Sequence, residues 1–285
     1  MKSFKEVTIV IVSYKSKKKI FKFIKNLSEN YRILIIENSD DKSIKYEIEK
    51  LFQNVEIYFT RNIGYGSSAN YARTKIKTDY FFLFNPDLEE INSNLIENFL
   101  NYAKKLNNKF SCLGPRFKNI NNKNFIQSDI KSEIGYVNAI SGSAMFFYTK
   151  NFDYIGGFDG NIFLYFEETD YCKRGLKFCL KAFQLNKIKV THNVGTSVEF
   201  GNEIEEKKIK KLFYWHFIWS KYYFYNKHFG RIFSLIYFLP TMLRSIIKIV
   251  ISKFQKNSQN IEKYKIRLDG LINSIKGNSS YKRID

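Results

Sequence analysis

Val7-Thr8-Ile9-Val10-Ile11-Val12, closed by Ser13-Tyr14, is the stretch whose reading decides the fold. It is almost wholly apolar and mostly β-branched, with no polar alternation to mark a solvent side. Such a run reads as a strand buried on both faces, and therefore as part of a parallel sheet covered by helices. Outward from it, Lys19 to Leu27 has the spacing of an amphipathic helix. Arg32-Ile33-Leu34-Ile35-Ile36 is a second buried strand, ending at Glu37-Asn38-Ser39-Asp40, and Val55 to Phe59 is a third. Thr60-Arg61-Asn62-Ile63-Gly64-Tyr65-Gly66 leads into a helix reaching about Lys77. Asp79 to Phe84 is a fourth strand, ending at Asn85-Pro86-Asp87. The alternation predicts an α/β fold with an open, mostly parallel sheet and flanking helices.

In such sheets ligands bind beyond the carboxyl ends of the strands. Polar residues stand at four of these ends in succession: Ser13 and Tyr14, Glu37 and Asn38, Arg61 and Asn62, Asn85 and Asp87. One polar strand end is ordinary, because strands end in turns; four, two of them carrying a carboxylate, mark a site. Gly64 and Gly66 either let backbone N–H groups approach a phosphate or punctuate a turn. The chain contains neither a dinucleotide-binding glycine fingerprint nor a P-loop.

A second informative stretch runs from residue 156 to 192. Gly156-Gly157-Phe158-Asp159 is followed by Phe163-Leu164-Tyr165-Phe166-Glu167-Glu168-Thr169-Asp170. A carboxylate against aromatic rings loses hydration, which raises its pKa and makes it a better proton acceptor near neutral pH. Tyr171 to Leu176 reads as helix, so the acidic cluster sits at a helix N-terminus, where negative charge is favoured in any case. An Asp170–Arg174 pair at i,i+4 is the competing structural reading. Elsewhere, Asn92 to Leu106 reads as a helix and residues 107–135 as polar loops and edge structure. Ile140 to Phe147 reads as small residues followed by a strand, and Ile188 to His192 as a short strand ending in histidine.

The chain of 285 residues is 44% hydrophobic, which excludes wholesale disorder, and carries a formal charge of +20. That charge calls for an anionic partner: nucleic acid, anionic lipid or a phosphorylated substrate. Cys112, Cys172 and Cys179 are odd in number and lack metal-type spacing, so they read as reduced core residues. The apolar run behind Lys2 and Lys5 is too short for a signal peptide, and no uninterrupted span is long enough for a transmembrane helix. Leu212 to Phe229 is densely aromatic with interspersed basic residues, and Ile232 to Ile251 is apolar but broken by Pro240, Arg244 and Lys248. Pro240 argues against one straight spanning helix. This segment is predicted to lie in a membrane interface, against the alternative of a helical subdomain packed on the core. The expected division is an α/β domain over 1–200 and a helical, basic, aromatic-rich segment over 201–285.

Taken in order, these segments resemble family 2 glycosyltransferases, which have the Rossmann-like GT-A fold. Within that family they resemble the bacterial rhamnosyltransferase-like branch, over Val7 to Ser197. Ser13-Tyr14 looks like the end of the family's first strand, and Glu37-Asn38-Ser39-Asp40 like its Asp-Asn-x-Ser segment with Glu for Asp. Asn62-Ile63-Gly64-Tyr65-Gly66 looks like its Asn-x-Gly-Phe segment, and Asn85-Pro86-Asp87 like this branch's metal motif. The block from Gly157 to Asp170 looks like its Gly-Phe-Asp-Glu…Glu-Asp-x-Asp block, with Gly160 for Glu and Glu168 for Asp. His192 with Gly195 and Ser197 looks like its His-x-x-Gly-x-Ser.

The resemblance implies an inverting, metal-dependent glycosyltransferase. It would move rhamnose or a related hexose from a dTDP- or UDP-sugar to a hydroxyl of a surface glycan precursor: lipooligosaccharide, O-antigen or capsule. Ser13, Tyr14, Glu37, Asn62, Gly64 and Asn85 would hold the nucleotide. Asp87 and His192 would hold Mg²⁺ or Mn²⁺, the imidazole tilting the choice towards Mn²⁺. Glu168 would be the catalytic base, supported by Glu167, Asp170 and Asp159. The implied partners are a nucleotide-sugar donor, a glycan or lipid-linked glycan acceptor and an anionic membrane surface, with the enzyme attached peripherally to the cytoplasmic face of the plasma membrane. A basic nucleic-acid-binding protein is the main alternative, but no recognised nucleic-acid signature is present and no nucleic acid is expected as partner. A sugar nucleotidyltransferase would need a glycine-rich loop after the first strand, and Ser13-Tyr14-Lys15-Ser16-Lys17 has no glycine.

Overall fold

Strand β1 (Val7–Ser13) is buried along its whole length. It lies between β2 (Arg32–Glu37) and β4 (Tyr80–Phe84), parallel to both, and β3 (Val55–Phe59) pairs parallel with β2. Successive side chains of a strand point to opposite faces. Ile9 and Ile11 therefore join one core with Ile20 and Ile24 of α1 (Lys17–Ile24), Ile48 of α2 (Ser43–Leu51) and Phe99 of α4 (Ser93–Lys105). Val10 and Val12 join another with Ala69 and Ala72 of α3 (Tyr65–Arg73), Phe152 of α5 (Thr149–Ile155) and Tyr171 of α6 (Glu167–Gly175). Phe82 stacks on Phe84 at 3.9 Å and meets Phe99 edge-on at 4.7 Å. Truncating such a residue to alanine costs about 3–5 kcal/mol.

The computed structural model describes residues 6–25, 27, 29–39, 41–119 and 127–283; Lys2, Lys5 and Asp40 lie outside the described residues. Beyond β4 the sheet becomes mixed. β8 (Ala144–Tyr148) runs antiparallel to β4, and β6 (Leu113–Phe117) is antiparallel to β8 and parallel to β9 (Ala182–His192). β9 also pairs antiparallel with β7 (Ile134–Val137) and β5 (Leu88–Glu89). The order is β3-β2-β1-β4-β8-β6-β9-β5, with β7 on β9. The α/β sheet with flanking helices is thus present, and β3-β2-β1-β4 is its longest parallel run.

Residues 107–135 do not form only loops and edge structure: Leu113–Phe117 is an interior strand. Gly114 and Pro115 hide it from a propensity reading. Gly114 is required by packing, since a Cβ there would sit 2.3 Å from Ile140 Cγ2. β9 is likewise longer than Ile188–His192. Its first half carries buried Gln184 and Asn186, which look like loop residues in the sequence but spend their amides inside the fold. Gln184 Oε1 accepts from Ser128 N at 2.9 Å, and Asn186 Nδ2 donates to Asp129 O and Ser132 O, both at 2.8 Å.

The chain forms two units. One comprises the residues up to Asp159 with Glu168–Glu199; the other comprises Gly160–Glu167 with everything from Phe200 onward. The second unit is built on α7 (Glu203–Phe229), α8 (Arg231–Phe254) and α9 (Ser258–Ile275). Much of the aromatic segment Leu212 to Phe229 forms its core: Trp215, Trp219, Tyr222 and Phe224 are buried, while Phe217 and Phe229 are exposed. α7 and α9 approach closely at Gly270, where a Cβ would come within 2.6 Å of Trp215 O. α8 runs unbroken through Pro240, so the expectation of an interrupted segment is corrected: its 24 residues are long and apolar enough to cross a membrane.

His216 is fully buried, with Nδ1 2.9 Å from Ser280 Oγ and Nε2 2.9 Å from Lys282 O. A carbonyl only accepts, so Nε2 carries the proton and Nδ1 accepts from Ser280. Burial pushes the imidazole down to about 4. The unfolded chain takes up a proton near pH 6.5 that the folded chain refuses, so stability falls as pH drops through this window. The expected loss is about 3 kcal/mol between pH 6.5 and 4. Melting curves across that range should show it, and a His216→Gln variant should have a flatter profile.

Candidate active site

The parallel register sets Ser13 beside Glu37. Ser13 Oγ donates to Glu37 Oε2 at 2.5 Å, while Ser39 N and Lys15 N donate to Oε1 at 2.9 and 3.3 Å. Glu37 thereby ties the ends of β1 and β2 together and keeps acceptor capacity for one more donor. Asn38, buried beside it, accepts from Thr60 Oγ1 at 2.7 Å and Ser68 Oγ at 2.9 Å, which joins the ends of β2 and β3 to α3. Gly64 holds φ +91° at the N-cap of α3, so its turn requires glycine; Gly66 lies inside the helix. Tyr14, Asn62 and Asn85 are half-buried around these ends, and Asn85 N donates to Ser143 O at 2.9 Å.

Asp87 follows β4 and is 5% exposed. His192 pairs with Leu88 across the β5–β9 ladder, which brings its Nε2 to 3.3 Å from Asp87 Oδ1. Even so, among the described residues neither Asp87 oxygen is in hydrogen-bonding geometry with a donor. A buried carboxylate left this way is costly unless something else binds it. Among the described residues no three His, Cys, Asp or Glu side chains converge as a complete metal cage. The donor set of Asp87 and His192 nonetheless fits a hard divalent ion that takes its remaining ligands from diphosphate oxygens and water. A cavity of about 410 Å³ opens beside Asp87, lined by Lys19, Lys22, Glu89, Asn193 and Thr196 among others.

On the other face of the sheet, Asn70 of α3 grips the loop before α6: its Nδ2 donates to Phe158 O at 2.8 Å and its Oδ1 accepts from Phe158 N at 2.9 Å. Gly157, at φ +61°, leaves room for that amide, since a Cβ would lie 2.7 Å from Asn70 Oδ1. Asp159 follows, half-buried. Arg174 Nε donates to Asp170 Oδ2 at 2.8 Å, while its other nitrogens reach Ile155 O and Gly157 O. Asp170, with no exposed surface, therefore anchors α6 to the end of α5. Glu168 in the first turn is half-buried, and desolvation pushes its carboxyl above the ordinary carboxylate range. Glu167 is buried and belongs to the helical unit. Just before it, Tyr165 and Phe166 hold φ +67° and +71°, a conformation costing about 1–2 kcal/mol per residue. Within that unit Tyr165 packs edge-on to Phe217 at 5.6 Å, and Phe166 packs on Phe224 at 5.6 Å.

Residues 8–195 match the family model for Glycosyl transferase family 2. The chain belongs to this family. It is 23% identical over 213 residues to the low-salt glycan biosynthesis hexosyltransferase Agl10 of Haloferax volcanii, covering 66% of this chain and 67% of the relative. It is 24% identical over 271 residues to rhamnosyltransferase WbbL of Escherichia coli K12, covering 81% of this chain and 99% of the relative. In fold it is similar to S. aureus TarS 1-349, with TM-score 0.55, 11% identity, and 99% and 94% of the two chains covered. It is also similar to GalNAc-T7 with UDP, GalNAc and Mn²⁺, with TM-score 0.55, 13% identity, and 79% of this chain against 50% of the other covered.

For this glycosyltransferase, the sequence reading missed Lys19 and Lys22. The signal was their i,i+3 spacing on a helix that starts just past the first strand end. Were Glu168 the base, Glu168→Gln, which keeps shape and removes the carboxylate, would lower turnover by about 10²–10⁴-fold with donor binding retained. In the parent, transfer should rise with pH through a limb lying above the ordinary carboxylate range, because the base must be deprotonated. Near-normal turnover of the variant in a steady-state assay would remove Glu168 from the role.

Proposed function

We propose that this glycosyltransferase is an inverting, metal-dependent enzyme that moves rhamnose or a related hexose from a dTDP- or UDP-sugar to a hydroxyl of a lipid-linked surface glycan precursor. The observation that carries this proposal is Asp87, a buried carboxylate without a hydrogen-bond donor among the described residues, beside His192 and a cavity bordered by two lysines. The likeness to WbbL supports the sugar, the described complexes of TarS with UDP and UDP-GlcNAc support the nucleotide-sugar class, and the Mn²⁺ in GalNAc-T7 supports the metal.

Held by Asp87 and His192, Mg²⁺ or Mn²⁺ would act as a Lewis acid toward the departing diphosphate. Lys19 and Lys22 add positive charge on the same side. Glu37, fixed by Ser13 and two backbone N–H groups, offers a rigid acceptor for a pyrimidine N–H. Glu168 takes the proton of the acceptor hydroxyl. That oxygen then bonds to the anomeric carbon from the face opposite the diphosphate, whose C–O bond breaks with the electron pair leaving on oxygen, so the configuration inverts. Transfer would take place at the cytoplasmic face of the plasma membrane.

The helical unit has its own cavity of about 340 Å³, lined by Tyr165, Lys210, Phe213, Tyr214, Phe217 and Arg267. Aromatic faces suit a sugar ring, and paired cations suit a phosphate, which fits a phosphorylated glycan acceptor.

In a thermal-shift panel of nucleoside diphosphates and nucleotide sugars, saturating dTDP or UDP compounds should raise the melting temperature by about 5–10 °C, only with Mn²⁺ or Mg²⁺ present. Asp87→Asn should abolish the shift without lowering the ligand-free melting temperature, since it relieves a buried carboxylate. A metal-independent shift of equal size in both proteins would overturn the metal role. Arg267→Ala should raise the acceptor KM about ten-fold and leave the donor shift unchanged.

A further inference from the structure

α8 is built inside out. Its buried positions are Ser234, Phe238, Ser245 and Ser252, so three of the four are serines. Its outward positions include Ile232, Ile236, Leu239, Leu243, Ile247 and Phe254, which are 48–85% exposed. Two of the inward hydroxyls bond back to the helix's own backbone: Ser234 Oγ donates to Gly230 O at 2.9 Å and Ser245 Oγ to Thr241 O at 2.8 Å. A helix in water does the opposite and turns its large apolar side chains inward. Helices in lipid pack through small residues and leave the large apolar ones facing the acyl chains. An apolar face of this extent marks an interaction surface rather than scattered exposure.

The charges on the helix choose the occupant. Between residues 231 and 256 there is no Asp or Glu, while Arg231, Arg244, Lys248, Lys253 and Lys256 are all exposed. A second copy of the same face would bring these cations against one another, whereas anionic headgroups would meet them with opposite charge. Phe238 and Met242 pack with Leu271 and Ile275 of α9, so α8 does not leave its unit alone. α9 carries Glu262, Lys263, Lys265, Arg267 and Asp269, which hydrocarbon would not accept. Although α8 is about 36 Å long, it is therefore not free to span.

We infer that α8 docks in the plane of an anionic bilayer, its isoleucine and leucine face sunk to the acyl boundary and its basic side chains on the headgroups. This attachment does not depend on the catalytic residues.

Flotation of the full chain with phosphatidylcholine vesicles, with and without phosphatidylglycerol, tests it. Binding should be at least about ten-fold stronger with phosphatidylglycerol and should weaken in molar salt. The double variant Ile236→Asp/Ile247→Asp should lose at least about ten-fold in binding, with an unchanged melting curve and donor-induced shift, because both side chains are exposed. Three results would overturn the inference. The first is no binding to either vesicle. The second is a vesicle-indifferent dimer that the double variant splits, which would make a second copy the occupant. The third is resistance to alkaline carbonate with α8 protected from protease, which would mean a spanning helix.

Discussion

β1, β2 and β4, parallel to one another and buried along nearly their whole length, leave polar groups almost nowhere to go but the strand ends. β1 sits at the centre of that constraint, with α1, α2 and α4 over one face and α3, α5 and α6 over the other. Every polar group at its carboxyl edge must then be matched at close quarters. Glu37 and Asn38 solve this by accepting donors from neighbouring loops, and they weld β1, β2, β3 and α3 into one rim. Among the described residues, Asp87 has His192 Nε2 at 3.3 Å but no donor in hydrogen-bonding geometry. A rim rigid enough to hold an unmatched carboxylate in place is one that can present it to a ligand without reorganisation.

Much of this was legible in the sequence because the relevant signals are local. β3 and α4 were readable from period and caps: in Val55–Phe59 the β-branched Val55 and Ile57 alternate with Glu56 and Tyr58, and Asn92 caps α4 by accepting from Leu95 N at 3.0 Å. The Asp170–Arg174 pair followed from i,i+4 spacing and is present at 2.8 Å. β6 was not legible, because its stability comes from partners distant in sequence: its neighbour β9 lies about seventy residues further on. Long-range pairing overrides the poor strand propensity of Gly114-Pro115. The partners of Glu37 and Asn70 were hidden for the same reason, since both receive hydrogen bonds from other elements.

Pro240 shows the limit of a breaker rule. Proline removes one hydrogen bond and crowds the preceding turn, yet the helix continues on both sides of it. The sequence reading placed the whole run from Leu212 to Ile251 in a membrane interface and treated its apolar part as interrupted by Pro240. Tertiary structure separates the two parts. The aromatic residues of α7 are used inside the unit, where Trp215 Nε1 donates to Asp269 Oδ2 at 2.7 Å and Trp219 Nε1 to Asn278 O at 3.1 Å. Composition alone could not tell which of two apolar helices would face inward; the serine stripe of α8 was the distinguishing feature.

The grip of Asn70 on Phe158 has a consequence for how this sequence can drift. The side-chain amide donates and accepts at once, as a strand neighbour would, and only the missing Cβ of Gly157 makes space for it. Positions 70 and 157 are therefore one unit of inheritance: a side chain at 157 is admissible only in a lineage that has already given up the amide at 70. Such a lineage would need a different way to hold the loop ahead of α6. Among divergent relatives, a side chain at 157 should be found only where 70 is no longer asparagine, while 70 is free to change with 157 still glycine.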